Sequence, residues 1–180
     1  MAFFQLFDAL RAEHGLDKRA RLLLEVAGLL HEVGGFVSNR GHHKHSYYLV
    51  ANSEVFGLSR DELLIVAQTC RYHRRSAPKP SHLEYMSMTR RQRMVVNRLA
   101  AILRVADALD RGHARIVRTF QCECKDDEFT IAVQGVADLT LERRALVSKG
   151  DLFEEIYGLR IRIEEEPTAP RTPKRDKTAE

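Results

Sequence analysis

Cysteine is scarce and odd in number, three residues in 180. That excludes a disulfide framework and agrees with a reducing compartment. No apolar run approaches the length of a membrane span. The one greasy opening, Met1-Ala2-Phe3-Phe4-Gln5-Leu6-Phe7, is interrupted by Asp8 and Arg11 before an export core could form. A cytoplasmic protein without membrane partners is therefore expected. Glycine-rich nucleotide fingerprints and P-loops are also missing. Acidic residues run short over one long stretch. Between positions 71 and 118 there are twelve lysines and arginines and only three acids, Glu84, Asp107 and Asp110, although the net charge of the whole chain is a modest +4. Such a field favours an anionic partner, either phosphate-rich small molecules or nucleic acid, with solvated helix faces as the plain alternative.

A chain of 180 residues can build one compact domain with a real core and a small appendage. Phe3, Phe4, Phe7 and Leu10 recur at helical spacing and predict an amphipathic first helix to about His14. Asp17 is placed to cap a second helix, Lys18 to about His31, which is apolar nearly all round and so is expected at the centre of a bundle. A third helix is expected from His42 to Ala51. Ser59 with Glu62 forms a capping box for a fourth, ending near Arg74. Pro78 and Pro80 predict a loop, and Thr89 to Arg111 is the longest periodic stretch. Beyond Gly112 the pattern turns strand-like: Ile116 to Cys124 and Phe129 to Val133 are joined by a hairpin turn, and Leu159 to Ile163 is a third strand after two short helices. The expected fold class is mainly α, with a helical bundle over 1–113, a small α+β C-terminal subdomain over 114–165 and a disordered tail over 166–180.

Histidine carries the strongest chemical signal, eight residues clustered rather than scattered. His31 and Glu32 stand side by side where the second helix stops at Gly34-Gly35. His42 and His45 lie at i, i+3 on one helix face. His73 lies near the end of the fourth helix. Asp107 falls on the apolar stripe of the long helix, where a carboxylate is costly without a compensating metal, histidine or arginine. Imidazoles with carboxylates suit Zn, Mn, Fe, Co or Ni better than Ca. Cys70 is expected in the core, and Cys122 and Cys124 as a reduced pair on one strand face. Tyr47 and Tyr48 could stack bases, but single-stranded nucleic-acid binding is the weakest of the functional readings.

These residues bring a family into view. Leu29 to Gly34 resembles the HD signature of metal-dependent phosphohydrolases, with Glu32 where that family has aspartate. Adding Gly41-His42-His43-Lys44-His45-Ser46-Tyr47-Tyr48-Leu49, Arg71-Tyr72-His73-Arg74 and the run Ala101 to Arg111, most of the chain resembles the C-terminal portion of exopolyphosphatase / guanosine pentaphosphate phosphohydrolase (Ppx/GppA) proteins. The resemblance implies an HD-domain-like bundle that in larger relatives follows an actin-like phosphatase domain, for which these residues hold no counterpart. It places His31, Glu32 and Asp107 on a divalent metal (Mn, Mg, Fe, Co or Zn), with His14, His45 and His73 as further ligands. It gives Arg74, Arg75, Arg104 and Arg111, with His42, His43 and Lys44, the phosphate oxygens. Polyphosphate or a phosphorylated guanosine nucleotide is the implied ligand, and a homodimer the implied assembly. Two functions follow: a binding module without the family's main catalytic site, or a stand-alone metal-dependent phosphohydrolase using His31, Glu32 and Asp107. Because Glu32 is one methylene too long, a metal-free, hydrogen-bonded polar core is the competing account of the same residues.

Overall fold

Thr89 begins the helix on which the rest is built. Its hydroxyl accepts from the Gln92 backbone N–H while the Gln92 side chain accepts from the Thr89 N–H, a complete capping box for α7 (Arg90–Leu109). The structure, a computed structural model, describes residues 1–74, 76–110, 120–135 and 138–166. From Leu99 to Ala106 every residue of α7 is buried. The helix is encircled by α1 (Ala2–Ala9), α3 (Lys18–Leu30), α5 (Arg60–Tyr72), α8 (Thr140–Lys149) and α9 (Asp151–Tyr157). The central helix is thus α7, and the expectation that α3 would hold that place fails. Although α3 buries Ala20, Leu23, Leu24 and Ala27, Leu22 and Leu29 face solvent, because α1, α5 and α7 all pack on one side of it. Its cap is as expected, with Asp17 accepting from the Ala20 N–H at 2.9 Å.

The first helix breaks at Leu10, leaving a single extra turn as α2 (Arg11–His14) closed by Gly15 in the left-handed region. His14 folds back over that break: its Nε2 donates to the Phe7 carbonyl at 2.8 Å, and its Nδ1 accepts from the Leu16 N–H at 2.9 Å. A short 3-10 turn (Val33–Phe36) then leads to α4 (His42–Ala51). The stretch after Pro78 and Pro80, expected as loop throughout, contains a further turn, α6 (Leu83–Met86). Tyr85 anchors it, buried and donating its hydroxyl to Asn97 of α7 at 2.8 Å.

The sheet has three strands in the order β1 (Phe120–Lys125), β2 (Glu128–Gln134), β3 (Arg160–Glu166). β1 and β2 form an antiparallel hairpin whose two-residue loop puts Asp126 at φ 54°, a conformation Asp tolerates better than most residues. β3 runs parallel to β2, so α8 and α9 together make the crossover that a parallel pair requires. Phe129, Ile131 and Val133 of β2 point into the core, where the Phe129 ring lies 5.4 Å from Phe153 of α9. Glu166, expected to open the tail, is instead the last residue of β3, opposite Gln134. The rest of the expected tail lies outside the described residues, as does the part of the expected first strand before Phe120. Among the described residues no helix is long and apolar enough to cross a membrane.

Burial also decides thiol chemistry. Cys70 is fully enclosed between α5 and α3, its Sγ 3.6 Å from the Ala27 carbonyl oxygen, and burial pushes its thiol well above the ordinary range. Cys124 is exposed. A maleimide should therefore modify Cys124 in the native protein and Cys70 only after unfolding, as mass spectrometry of the labelled peptides would show.

Candidate functional site

Three helix ends meet at the His31-Glu32 turn. His31 closes α3, His73 closes α5, and Asp107 lies in the last turn of α7. Carbonyl-rich C-termini carry partial negative charge, so their convergence favours a cation. Ser46 of α4 fixes the turn, accepting from the Gly34 N–H at 2.9 Å and donating to the His31 carbonyl at 2.7 Å. Glycine at 34 allows that approach, because a Cβ there would fall 2.2 Å from the His42 carbonyl oxygen and 2.3 Å from the Ser46 nitrogen.

The ring protons follow from the acceptors. The Gly28 carbonyl can only accept, so His31 carries its proton on Nδ1 (2.8 Å) and leaves Nε2 bare. The Cys70 carbonyl likewise fixes the His73 proton on Nδ1 at 2.6 Å. His42 Nε2 lies 3.2 Å from His73 Nε2, and His42 Nδ1 lies 3.3 Å from the Asn39 carbonyl oxygen and 3.5 Å from Arg74 Nη1. Burial, aided by the neighbouring His31 and His42 and only partly offset by the Cys70 hydrogen bond and Asp107, brings His73 down to about 3. It is a neutral ring at physiological pH, packed edge-on to His31 at 4.9 Å.

Asp107 is held by a partner that no motif announced. Its Oδ2 accepts from Nζ of Lys149, the last residue of α8. Burial pushes the Asp107 carboxyl up. The Lys149 ammonium and its hydrogen bond, with His73 and His31 behind them, more than reverse this and hold it below the usual carboxylate value. One turn earlier on α7, Arg104 is also buried: Nε donates to the Tyr72 carbonyl at 2.8 Å and Nη1 to Asp151 at 2.6 Å. α7 therefore offers Arg104 and Asp107, and the α8–α9 corner answers with Asp151 and Lys149. Two ion pairs of opposite polarity fasten the crossover to the bundle. Gly150 sits between them, where a Cβ would press on the Leu146 carbonyl oxygen at 2.8 Å and the Ile161 side chain at 3.0 Å.

Of the expected ligands, the structure brings together His31, Glu32 and Asp107, one ligand atom from each lying within 4.8 Å of the others. His14 is not in this group, since both ring nitrogens are spent on backbone around α2. His45 is half-buried beside Gly34 and also outside the group, and His73 Nε2 is engaged by His42. Glu32 is exposed. The donors in their present state do not fit a divalent ion, because Asp107 already carries a buried ammonium.

The expected phosphate contacts divide similarly. Arg104 faces the interior and cannot reach a ligand. Arg75 and Arg111 lie outside the described residues. His42, His43, Lys44 and Arg74 do lie close together, where the first turn of α4 meets the end of α5. Arg71 joins them, its guanidinium 5.1 Å above the Tyr47 ring and 3.6 Å from Glu84. Burial first, then the charges of His42, Lys44, Arg74 and Arg71, drives His43 down to about 4. Among the described residues no carboxylate pairs with Lys44 or Arg74.

A bundle that gathers helix ends around histidines and a carboxylate, with a basic face alongside, fits the family now found in the sequence. Residues 2–155 match the family described as Ppx/GppA phosphatase, domain III, and the chain belongs to it. It is also similar to the guanosine-5'-triphosphate,3'-diphosphate pyrophosphatase of Pseudoalteromonas translucida (strain TAC 125), 27% identical over 106 residues that make up 58% of this chain and 20% of that protein. The chain thus matches about a fifth of the length of that curated relative.

Proposed function

We propose that this domain binds the phosphates of polyphosphate, or of a phosphorylated guanosine nucleotide, on the basic face formed by the first turn of α4 and the end of α5, and that it binds them without a metal. The observation that carries this reading is the crowding of Lys44, Arg71 and Arg74 around His43, with no acid to neutralise Lys44 or Arg74 among the described residues. Guanidinium groups bind phosphate oxygens bidentately, and the neutral His43 ring adds an N–H donor. Family membership supports phosphate chemistry in general, and the name of the relative makes a guanosine nucleotide one candidate ligand.

Fluorescence anisotropy with labelled polyphosphate in excess chelator tests this. Binding is expected to weaken steeply with salt, as it does for any ligand held by several phosphate contacts. Arg74→Glu should weaken it by at least tenfold, a loss of about 1.4 kcal/mol. Unchanged affinity in Arg74→Glu, or no binding by the native chain, would contradict the proposal.

The metal-dependent phosphohydrolase reading rests on the close approach of His31, Glu32 and Asp107. It requires a stoichiometric divalent ion and phosphate release that disappears in His31→Ala and in Asp107→Ala. The tie between Asp107 and Lys149 weighs against it.

A further inference from the structure

We infer that Lys149 is the resident cation of the His31–Glu32–Asp107 centre: its ammonium holds the place on Asp107 that a divalent ion would take, and removing it would open a metal site that the native chain does not offer. This stands apart from phosphate binding at the α4–α5 face and holds whether or not that face binds phosphate.

The side chains of Lys149 and Asp107 are only 8% and 12% exposed, so the pair is part of the interior. Lys149 is not a surface side chain that has swung inward. Glu142, Ala145, Leu146 and Lys149 are the buried residues of α8, a spacing of i, i+3, i+4, i+7 that makes one helix face, and the lysine at its end reaches Asp107 of α7. Its backbone is held in place by the close packing at Gly150 and by the Arg104–Asp151 pair directly after it.

The surrounding groups resemble a metal shell. His31 presents a bare Nε2 whose orientation is fixed by its Nδ1–H bond to a backbone carbonyl, the way metal-bound imidazoles are usually held. The carboxylates of Glu32 and Asp107 lie within reach of the same point. Three helix C-termini add partial negative charge. A centre of this kind requires a cation, and one ammonium on Asp107 supplies it. A divalent ion added beside Lys149 would face a like charge at contact distance over a carboxylate shielded from solvent, so the two cations compete for Asp107. In Lys149→Met, Asp107 would remain buried with its main partner gone and only the His31 and His73 rings beside it, so an added ion would be the strongest compensation within reach.

The test compares the native chain with Lys149→Met, using Co2+ as probe and following both its visible absorption and the thermal midpoint. The native chain should show no saturable Co2+ signal that depends on His31, and its midpoint should not move with Co2+. Lys149→Met should be less stable than native without metal, should take up about one Co2+ per chain, and should recover stability on doing so. Adding His31→Ala should abolish both effects. Lys149→Met/Asp107→Asn, which leaves no buried charge unpaired, should fold and take up no Co2+. Co2+ uptake by the native chain that is lost in His31→Ala would overturn the inference. So would a folded Lys149→Met that ignores Co2+, or a Lys149→Met that Co2+ cannot restore while the double variant folds.

Discussion

Asp151→Ala should lower stability by about 2–4 kcal/mol, while Arg104→Met, at the other end of the same ion pair, should cost only about 1–2 kcal/mol. The asymmetry comes from where the two charges sit. Arg104 is 1% exposed and Asp151 is 60% exposed. When the arginine is replaced, the Asp151 carboxylate returns to water at little cost, the methionine fills most of the aliphatic volume, and the main loss is the hydrogen bond to the Tyr72 carbonyl. When the aspartate is replaced, a guanidinium that cannot shed its proton stays in the core with one carbonyl for company. Burial already pulls the Arg104 pKa down against the opposing pull of Asp151, so the site strains against that charge even with its partner present. Among the described residues its Nη2 has no hydrogen-bond partner, which lowers the net value of the native arrangement further. Urea unfolding of the two variants gives the order directly. Arg104→Met coming out as the more damaging change would show that the pair stabilises through the arginine's own contacts.

Of the Gly→Ala changes at Gly34, Gly35 and Gly150, Gly34→Ala should be the most damaging, costing about 3 kcal/mol and lowering the thermal midpoint by roughly 5–10 °C. The obstacle is backbone: the added Cβ would lie 2.2 Å from the His42 carbonyl oxygen and 2.3 Å from the Ser46 nitrogen. No side-chain rotation relieves that contact, so α4 has to retreat. As it does, Ser46 leaves the turn it links and His42 leaves His73, from which it now stands 3.2 Å. The adjacent glycine is the control. At Gly35 a Cβ would meet only the Asn39 side chain, at 3.6 Å, so Gly35→Ala should cost less than about 1 kcal/mol. Equal effects at the two positions would mean that α4 is not pressed against the turn as described. Circular dichroism melts of both variants make the comparison.

Much of this molecule was legible in its sequence. The capping box at Ser59, the cap at Asp17 and the histidines in the first turn of α4 all rest on short-range rules, and the structure shows them in place. So does the convergence of His31, Glu32 and Asp107, because a carboxylate on an apolar stripe points inward whatever packs over it. What covers that stripe was not legible. Half of α7 is buried all round by elements from both ends of the chain, and Arg104 therefore became a core residue instead of a phosphate contact. The α3 helix differs from its expected central place for the converse reason: Leu22 and Leu29 are apolar, but among the described residues nothing packs over their side of the helix closely enough to bury them. Lys149 did leave a signal. It continues the buried face of α8 one turn beyond Ala145, as Asp107 continues that of α7 beyond Leu103, and two opposite charges on two apolar stripes could have been matched. The parallel pairing of β3 with β2 left none, since an alternating strand reads the same in either direction.

The central claim is that phosphate binds at the α4–α5 face and needs no metal. Amide chemical-shift mapping of the 20.6 kDa chain with short-chain polyphosphate in excess chelator tests it most directly. The account predicts saturable shifts centred on His42, His43, Lys44, Arg71 and Arg74, with β1 and β3 unmoved. Shifts spread evenly over the arginines of the sheet and α8, or shifts at His31 and Asp107 that appear only once a divalent ion is supplied, would contradict it.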